Sequence, residues 1–183
     1  MPVLVTAATR NGATGEIARV IGAALIERGV PAVVLAPEEV RDIGGYDAVV
    51  LGSAVYSGHW LPAAMTLVDR GSGAWAGRPV WLFSSGPVGD PDRSLTRKMG
   101  AEPVDLPKVR AATGAREHRM FGGKLDRNTL PFAQRMALSL FRGMQGDFRD
   151  WDAIRAWSAT IADAVHETPH ADLDRGTDGA HRG

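Results

Sequence analysis

The stretch "VTAATRNGATGEIA", Val5 to Ala18, decides how the rest of the chain is read. Val3, Leu4 and Val5 open a short apolar run of the kind that forms a buried strand. From Gly15 onward, Ile17, Val20, Ile21, Ala24 and Leu25 recur near a period of 3.6, which predicts a helix. Between the two lie Thr9, Arg10, Asn11, Gly12, Ala13 and Thr14, rich in hydroxyl, amide and glycine. Such a loop can turn backbone N–H groups toward an anion, with the positive end of the helix dipole behind them. The plainer alternative is an ordinary strand-to-helix turn with Thr14 as N-cap.

Composition narrows the field. The chain has 183 residues, enough for one domain with a full core. It contains no cysteine, so disulfides, thiolate nucleophiles and cysteine-held metal clusters are excluded. Pro2 to Leu4 run straight into the first strand without a basic leader, and no apolar run approaches the roughly 20 residues of a membrane span. A cytoplasmic protein is expected. The formal net charge is zero, yet Arg93 to Arg149 carries 12 Lys+Arg against 5 Asp+Glu, a net of +7 balanced by −7 elsewhere. A basic half of this kind attracts anionic substrates or lipid head groups, or is simply a solvated face.

Strand and helix signals keep alternating. "PAVVLAP" (31–37) predicts a second buried strand, and Ala48 to Leu51 a third that ends at Gly52-Ser53. A helix follows from about Leu61 to Arg70, then a fourth strand, Val80 to Phe83. A more polar fifth, Glu117 to Phe121, suits a sheet edge, and Trp151, Ile154, Trp157, Ile161 and Val165 mark the face of a closing helix. The pattern predicts an α/β fold with a parallel sheet covered by helices on both faces. Ligands of such sheets sit beyond the carboxyl ends of the strands, which selects residues 9–14, 53–60 and 84–89. Residues 1–166 are expected to form the domain and 167–183 a disordered tail.

These three loops carry a resemblance. Thr9-x-Asn11-Gly12-x-Thr14 resembles the phosphate loop of flavodoxins, normally T-x-T-G-x-T, with Asn11 in place of a threonine. "GSAVYSGHW" (52–60) resembles the second flavin loop and "SSGPVGD" (84–90) the third. Over residues 3–166 the chain is more closely similar to menaquinone-dependent protoporphyrinogen oxidases and their flavodoxin-domain relatives, through "ATRNGATGEIA", "VVLGSAVYSGHW", "FGGKL" and "GDFRDWDAIRAW".

The resemblance implies a flavodoxin-like three-layer sandwich, a five-stranded parallel sheet of order 2-1-3-4-5, and FMN as cofactor. It places the phosphate at Thr9, Arg10, Asn11, Gly12, Ala13 and Thr14, and the flavin ring against Ser53, Ala54, Val55, Tyr56, Gly58 and His59. Ser85, Gly86, Pro87, Val88 and Gly89 would present backbone groups to the ring edge, Ser84 beside them. Tyr56 is favoured over Trp60 for stacking; His59 is either a flavin contact or a surface histidine.

No side chain is assigned as acid or base. The implied reaction is oxidation of protoporphyrinogen IX with a quinone as acceptor; a carrier flavodoxin and a flavin quinone reductase are the alternatives. No nucleic-acid partner is expected. Within residues 126–145, Leu130, Ala133, Met136, Ala137, Leu140, Phe141 and Met144 follow a helical stripe among Arg127, Arg135 and Arg142. Such a helix can meet quinone and an anionic membrane surface, pack into the domain, or form a homodimer contact.

Overall fold

The structure, a computed structural model, describes residues 2–86, 102–125 and 146–168. Strand β1 (Val3–Ala8) is buried throughout and lies inside the sheet, next to its edge strand. Helix α1 (Ala13–Glu27) follows, then β2 (Ala32–Leu35), β3 (Ala48–Tyr56) and β4 (His59–Trp60). After these come α2 (Pro62–Arg70), β5 (Val80–Ser85), α3 (Leu106–Thr113) and β6 (Glu117–Phe121). A small pair, β7 (Lys124–Leu125) and β8 (Gly146–Asp147), precedes the closing helix α4 (Trp151–Glu167).

The main strands run parallel in the order β2-β1-β3-β5-β6, the doubly wound arrangement expected from the sequence. Alternation along each strand divides the core into two layers. On one face Val5, Phe83 and Phe121 pack against Ile17 and Ile21 of α1 and Trp157 and Ile161 of α4. Phe83, Phe121 and Trp157 meet with ring centroids 5.5–6.3 Å apart, two of the three pairs edge-on, which adds about 0.5–1.5 kcal/mol per pair beyond buried area. On the other face Leu4, Leu51 and Leu82 pack against Leu67 of α2 and Leu106 and Val109 of α3.

Three elements differ from the sequence reading. β2 is an edge strand rather than a buried one, with Val33 37% and Val34 38% exposed, because nothing pairs with its outer side among the described residues. β3 continues to Tyr56 instead of stopping at Leu51, held by pairing Gly52 with Phe83, Ser53 with Ser84 and Ala54 with Ser85. It then reverses through Ser57 and Gly58, both at positive φ (50° and 82°), the geometry of a tight hairpin turn, and β4 pairs back antiparallel. The fifth parallel strand, β6, has the predicted bounds and the predicted edge position.

The expected helix within 126–145 lies outside the described residues, as do 87–101 and the tail beyond Thr168. The antiparallel pair Leu125↔Gly146 and Lys124↔Asp147 brings the two ends of the 126–145 excursion together.

Candidate functional site

At the carboxyl end of β1 the chain leaves the sheet through exposed Thr9, Arg10 and Asn11. Gly12 occupies the N-cap of α1 in the left-handed region (φ 84°, ψ −23°), a conformation that costs a residue with a Cβ about 1–2 kcal/mol. No side chain caps this helix, so the proposed Thr14 cap is replaced by Gly12; Thr14 sits buried inside the first turn. The first intrahelical bond runs from the Glu16 N–H to the Gly12 carbonyl, 2.9 Å. The N–H groups of Ala13, Thr14 and Gly15 therefore lie ahead of any intrahelical acceptor, at the positive end of a 15-residue helix. A Cβ on Gly12 would meet no atom within 4 Å, so backbone conformation rather than crowding calls for glycine there.

Tyr56, 37% exposed, reaches this loop from the end of β3. The Asn11 amide donates to its hydroxyl at 3.3 Å, and the Arg10 guanidinium lies 5.1 Å over its ring. The structure thus brings together Arg10, Asn11 and Tyr56, which sequence alone placed in separate loops.

The rest of the 53–60 segment is satisfied internally. The buried Ser53 hydroxyl donates to the Ala54 carbonyl (2.8 Å) and accepts from the Leu61 N–H (2.9 Å). Ala54 is buried and Val55 half-buried. Trp60 is not a ring-stacking residue at the surface: it is 3% exposed, folded back by the hairpin. Its indole donates to the Ser84 hydroxyl at 2.8 Å and its backbone N–H to Asp105 at 2.9 Å. His59 pairs through Nδ1 with the same carboxylate, 3.1 Å away, while its ring stays largely exposed beside Gly58.

At the end of β5, Ser84 and Ser85 are buried, and the Gly86 N–H donates to the Phe121 carbonyl at 3.0 Å. Pro87, Val88 and Gly89 lie outside the described residues. The Ser84 hydroxyl accepts from the indole and also lies 2.9 Å from Nε2 of His118, in a bond whose direction follows the imidazole's tautomer. The other ring nitrogen of His118 is 3.9 Å from Glu102. Burial lowers its pKa below 6.5; nearby Arg110 lowers it further, and Glu102 opposes both. Sequence reading passed over His118, whose only signal is a histidine on the inward alternation of an edge strand.

It also passed over the role of Arg149. This side chain, 2% exposed, sits where α4 approaches the first turn of α1. Its Nε and Nη2 donate to the two oxygens of Asp147 (2.7 and 2.5 Å). Nη1 donates to Glu16 Oε2 (2.6 Å) and to the Ala13 carbonyl (3.3 Å), and the guanidinium stacks 4.4 Å over Trp151. Hydrogen bonding to Asp147 raises the arginine's pKa further and holds the Asp147 carboxyl below its usual 3.8. The neighbouring Asp150 caps α4, accepting from the Ala153 N–H at 2.9 Å.

Among the described residues no group of His, Cys, Asp and Glu could hold a metal ion, and no helix is long and apolar enough to cross a membrane.

Comparison with known proteins bears on this geometry. No curated protein matches the chain. Among solved structures, a flavodoxin from the domain Archaea superposes with a TM-score of 0.59 at 15% identity, covering 91% of this chain and 100% of that one. Flavodoxin 1 from Bacillus cereus gives 0.57 at 15% identity, covering 89% and 98%. Rubredoxin oxygen:oxidoreductase from the anaerobe Desulfovibrio gigas gives 0.57 at 15%, covering 90% of this chain but only 36% of that one, so the chain spans about a third of its length. At such identity these likenesses speak for the fold. The flavodoxin domain family itself matches residues 4–152. The chain belongs to the flavodoxin domain family, whose cofactor is FMN.

Proposed function

We propose that the chain is an FMN-dependent oxidoreductase in which the turn from Thr9 to Gly15 holds the cofactor's phosphate. The observation that carries this reading is the uncapped start of α1, with Gly12 in the left-handed region and the N–H groups of residues 13–15 ahead of any intrahelical acceptor. A phosphate fits there because it needs several convergent donors and gains from the helix dipole. The side chains of Thr9, Asn11 and Thr14 are donors within the same turn. FMN, when bound, supplies a ring that accepts and releases reducing equivalents. The chain's own residues would bind and orient it: Tyr56, contacted by Asn11 and Arg10, would offer a face to the ring, and Ser85 and Gly86 at the end of β5 would offer backbone groups to its edge.

Oxidation of protoporphyrinogen IX with a quinone acceptor is supported by the resemblance over residues 3–166, and by the +7 stretch from Arg93 to Arg149, which suits a substrate bearing propionates. A carrier flavodoxin is the second reading; it is favoured by near-complete coverage of two free-standing flavodoxins, 100% and 98% of their lengths. The charge argues against it, since carriers that dock basic partners are typically acidic and this chain is neutral.

Anaerobic reduction of the FMN-loaded protein separates the two. Protoporphyrinogen IX should bleach the flavin spectrum and a quinone should restore it over repeated turnovers. Reduction only by a partner redox protein, with no turnover on any small donor, would favour the carrier; rapid reduction by NADH or NADPH would favour a quinone reductase.

A further inference from the structure

Arg149 sits in an odd place for a cation. The first turn of a helix carries the positive end of the dipole, yet a nearly buried guanidinium is bonded there to Glu16 and to the carbonyl of Ala13. Asp147 fills the other side of its fork with two hydrogen bonds, and Trp151 covers its face. Two carboxylates thus compensate one buried cation, without which its desolvation would be costly.

The partner of most interest is Glu16, four positions past the Gly12 cap. A carboxylate this close to a helix N-terminus is attracted by the positive end of the dipole and repels a second anion placed there. Here Arg149 holds it elsewhere, 2.6 Å from Nη1, and no side chain caps the turn. The free N–H groups of Ala13, Thr14 and Gly15 are left for an external anion because the only acidic side chain of the first turn is tied away.

We propose that Arg149 is a positioning residue for phosphate recognition: by binding Glu16 and the Ala13 carbonyl, it keeps the competing carboxylate out of the α1 cradle and neutralises its repulsion. The proposal rests on the reading of residues 9–15 as the FMN phosphate site. It makes Glu16 an internal competitor that is switched off by a residue 133 positions away.

The test compares FMN with riboflavin, which lacks the phosphate, by quenching of flavin fluorescence on titration with the apoprotein. Arg149→Gln should weaken FMN by about tenfold, the effect of a freed carboxylate near the phosphate, while riboflavin affinity changes little. Glu16→Gln added to Arg149→Gln should restore FMN affinity, because the competitor is then gone. Glu16→Gln alone breaks half of the clamp, yet should leave FMN binding undiminished or tighter; this variant remains informative if Arg149→Gln does not fold.

A purely structural arginine predicts otherwise: FMN and riboflavin weaken together, Glu16→Gln weakens FMN, and the double variant is no better than Arg149→Gln. Any of these results would overturn the proposal. Equal affinity of the unmodified chain for FMN and riboflavin would instead count against the phosphate site itself, whatever the variants do.

Discussion

Residues 9–14 follow β1, residues 53–60 form the end of the neighbouring β3 and its hairpin, and both carry small and polar side chains, yet they end in opposite states. In the first, Thr9, Arg10 and Asn11 are exposed and the helix behind them starts without a side-chain cap. In the second, Ser53 and Trp60 turn their polar atoms inward, to Ala54, Leu61, Ser84 and Asp105. Composition at a strand's end marks where a ligand can sit. Whether the donors there are already engaged decides whether one does. Residues 56–59 are the part of the second segment left at the surface, and Tyr56 leans on the first.

The comparison breaks most visibly at Trp60. Trp60→Ala should cost about 3–5 kcal/mol, as truncations of buried aromatics do, with the Ser84 hydroxyl losing its donor as well. Chemical denaturation measures it. A variant that stays as stable as the parent and only loses flavin would show that Trp60 faces the ligand.

Gly12→Val tests the other half. A β-branched residue at φ 84° is strained by about 1–2 kcal/mol or more, and the displaced turn should weaken FMN by about tenfold or more while riboflavin changes less. Unchanged FMN affinity in a folded Gly12→Val protein would remove the turn from the site.

A smaller effect is expected at His118, which continues the inward network through Ser84. Because burial disfavours its charged form, the folded chain binds fewer protons there than the unfolded chain. Its contribution is complete above the unfolded value of 6.5 and is lost as pH falls below it. Melting temperature should drop between about pH 7.5 and about pH 5, and drop less in His118→Gln, which can still hydrogen-bond Ser84 but does not titrate. An identical pH profile in both would remove His118 from the explanation.

The smallest stability change belongs to Tyr56. Tyr56→Ala removes a partly exposed ring and should alter stability by about 0.5 kcal/mol or less, yet weaken flavin several-fold by taking away a stacking surface. Loss of stability without loss of flavin would reverse its assignment.

Much of this fold is visible in the sequence because the pattern changes sharply around Gly12, from a mostly apolar strand to a 3.6-residue helix. β6 is equally plain, since Glu117 to Phe121 alternate between the two faces of an edge strand. The continuation of β3 through Ser53 to Tyr56 is not, because serine and alanine in a strand read as loop until pairing with β5 buries them. Trp60 misleads for the same reason: only the reversal at Ser57 and Gly58 sends it inward. The clamp of Arg149 on Glu16 joins residues 133 positions apart, and neither has a local pattern that announces the other.

The most direct measurement is the pair of dissociation constants for FMN and riboflavin with the unmodified apoprotein. With three backbone N–H groups and a helix dipole set aside for the phosphate, FMN should bind about a hundredfold more tightly than riboflavin, or better. Its advantage should shrink by about tenfold or more in Gly12→Val. Equal affinities for the two flavins would contradict a phosphate cradle at residues 9–15 and with it the assignment of this edge of the sheet.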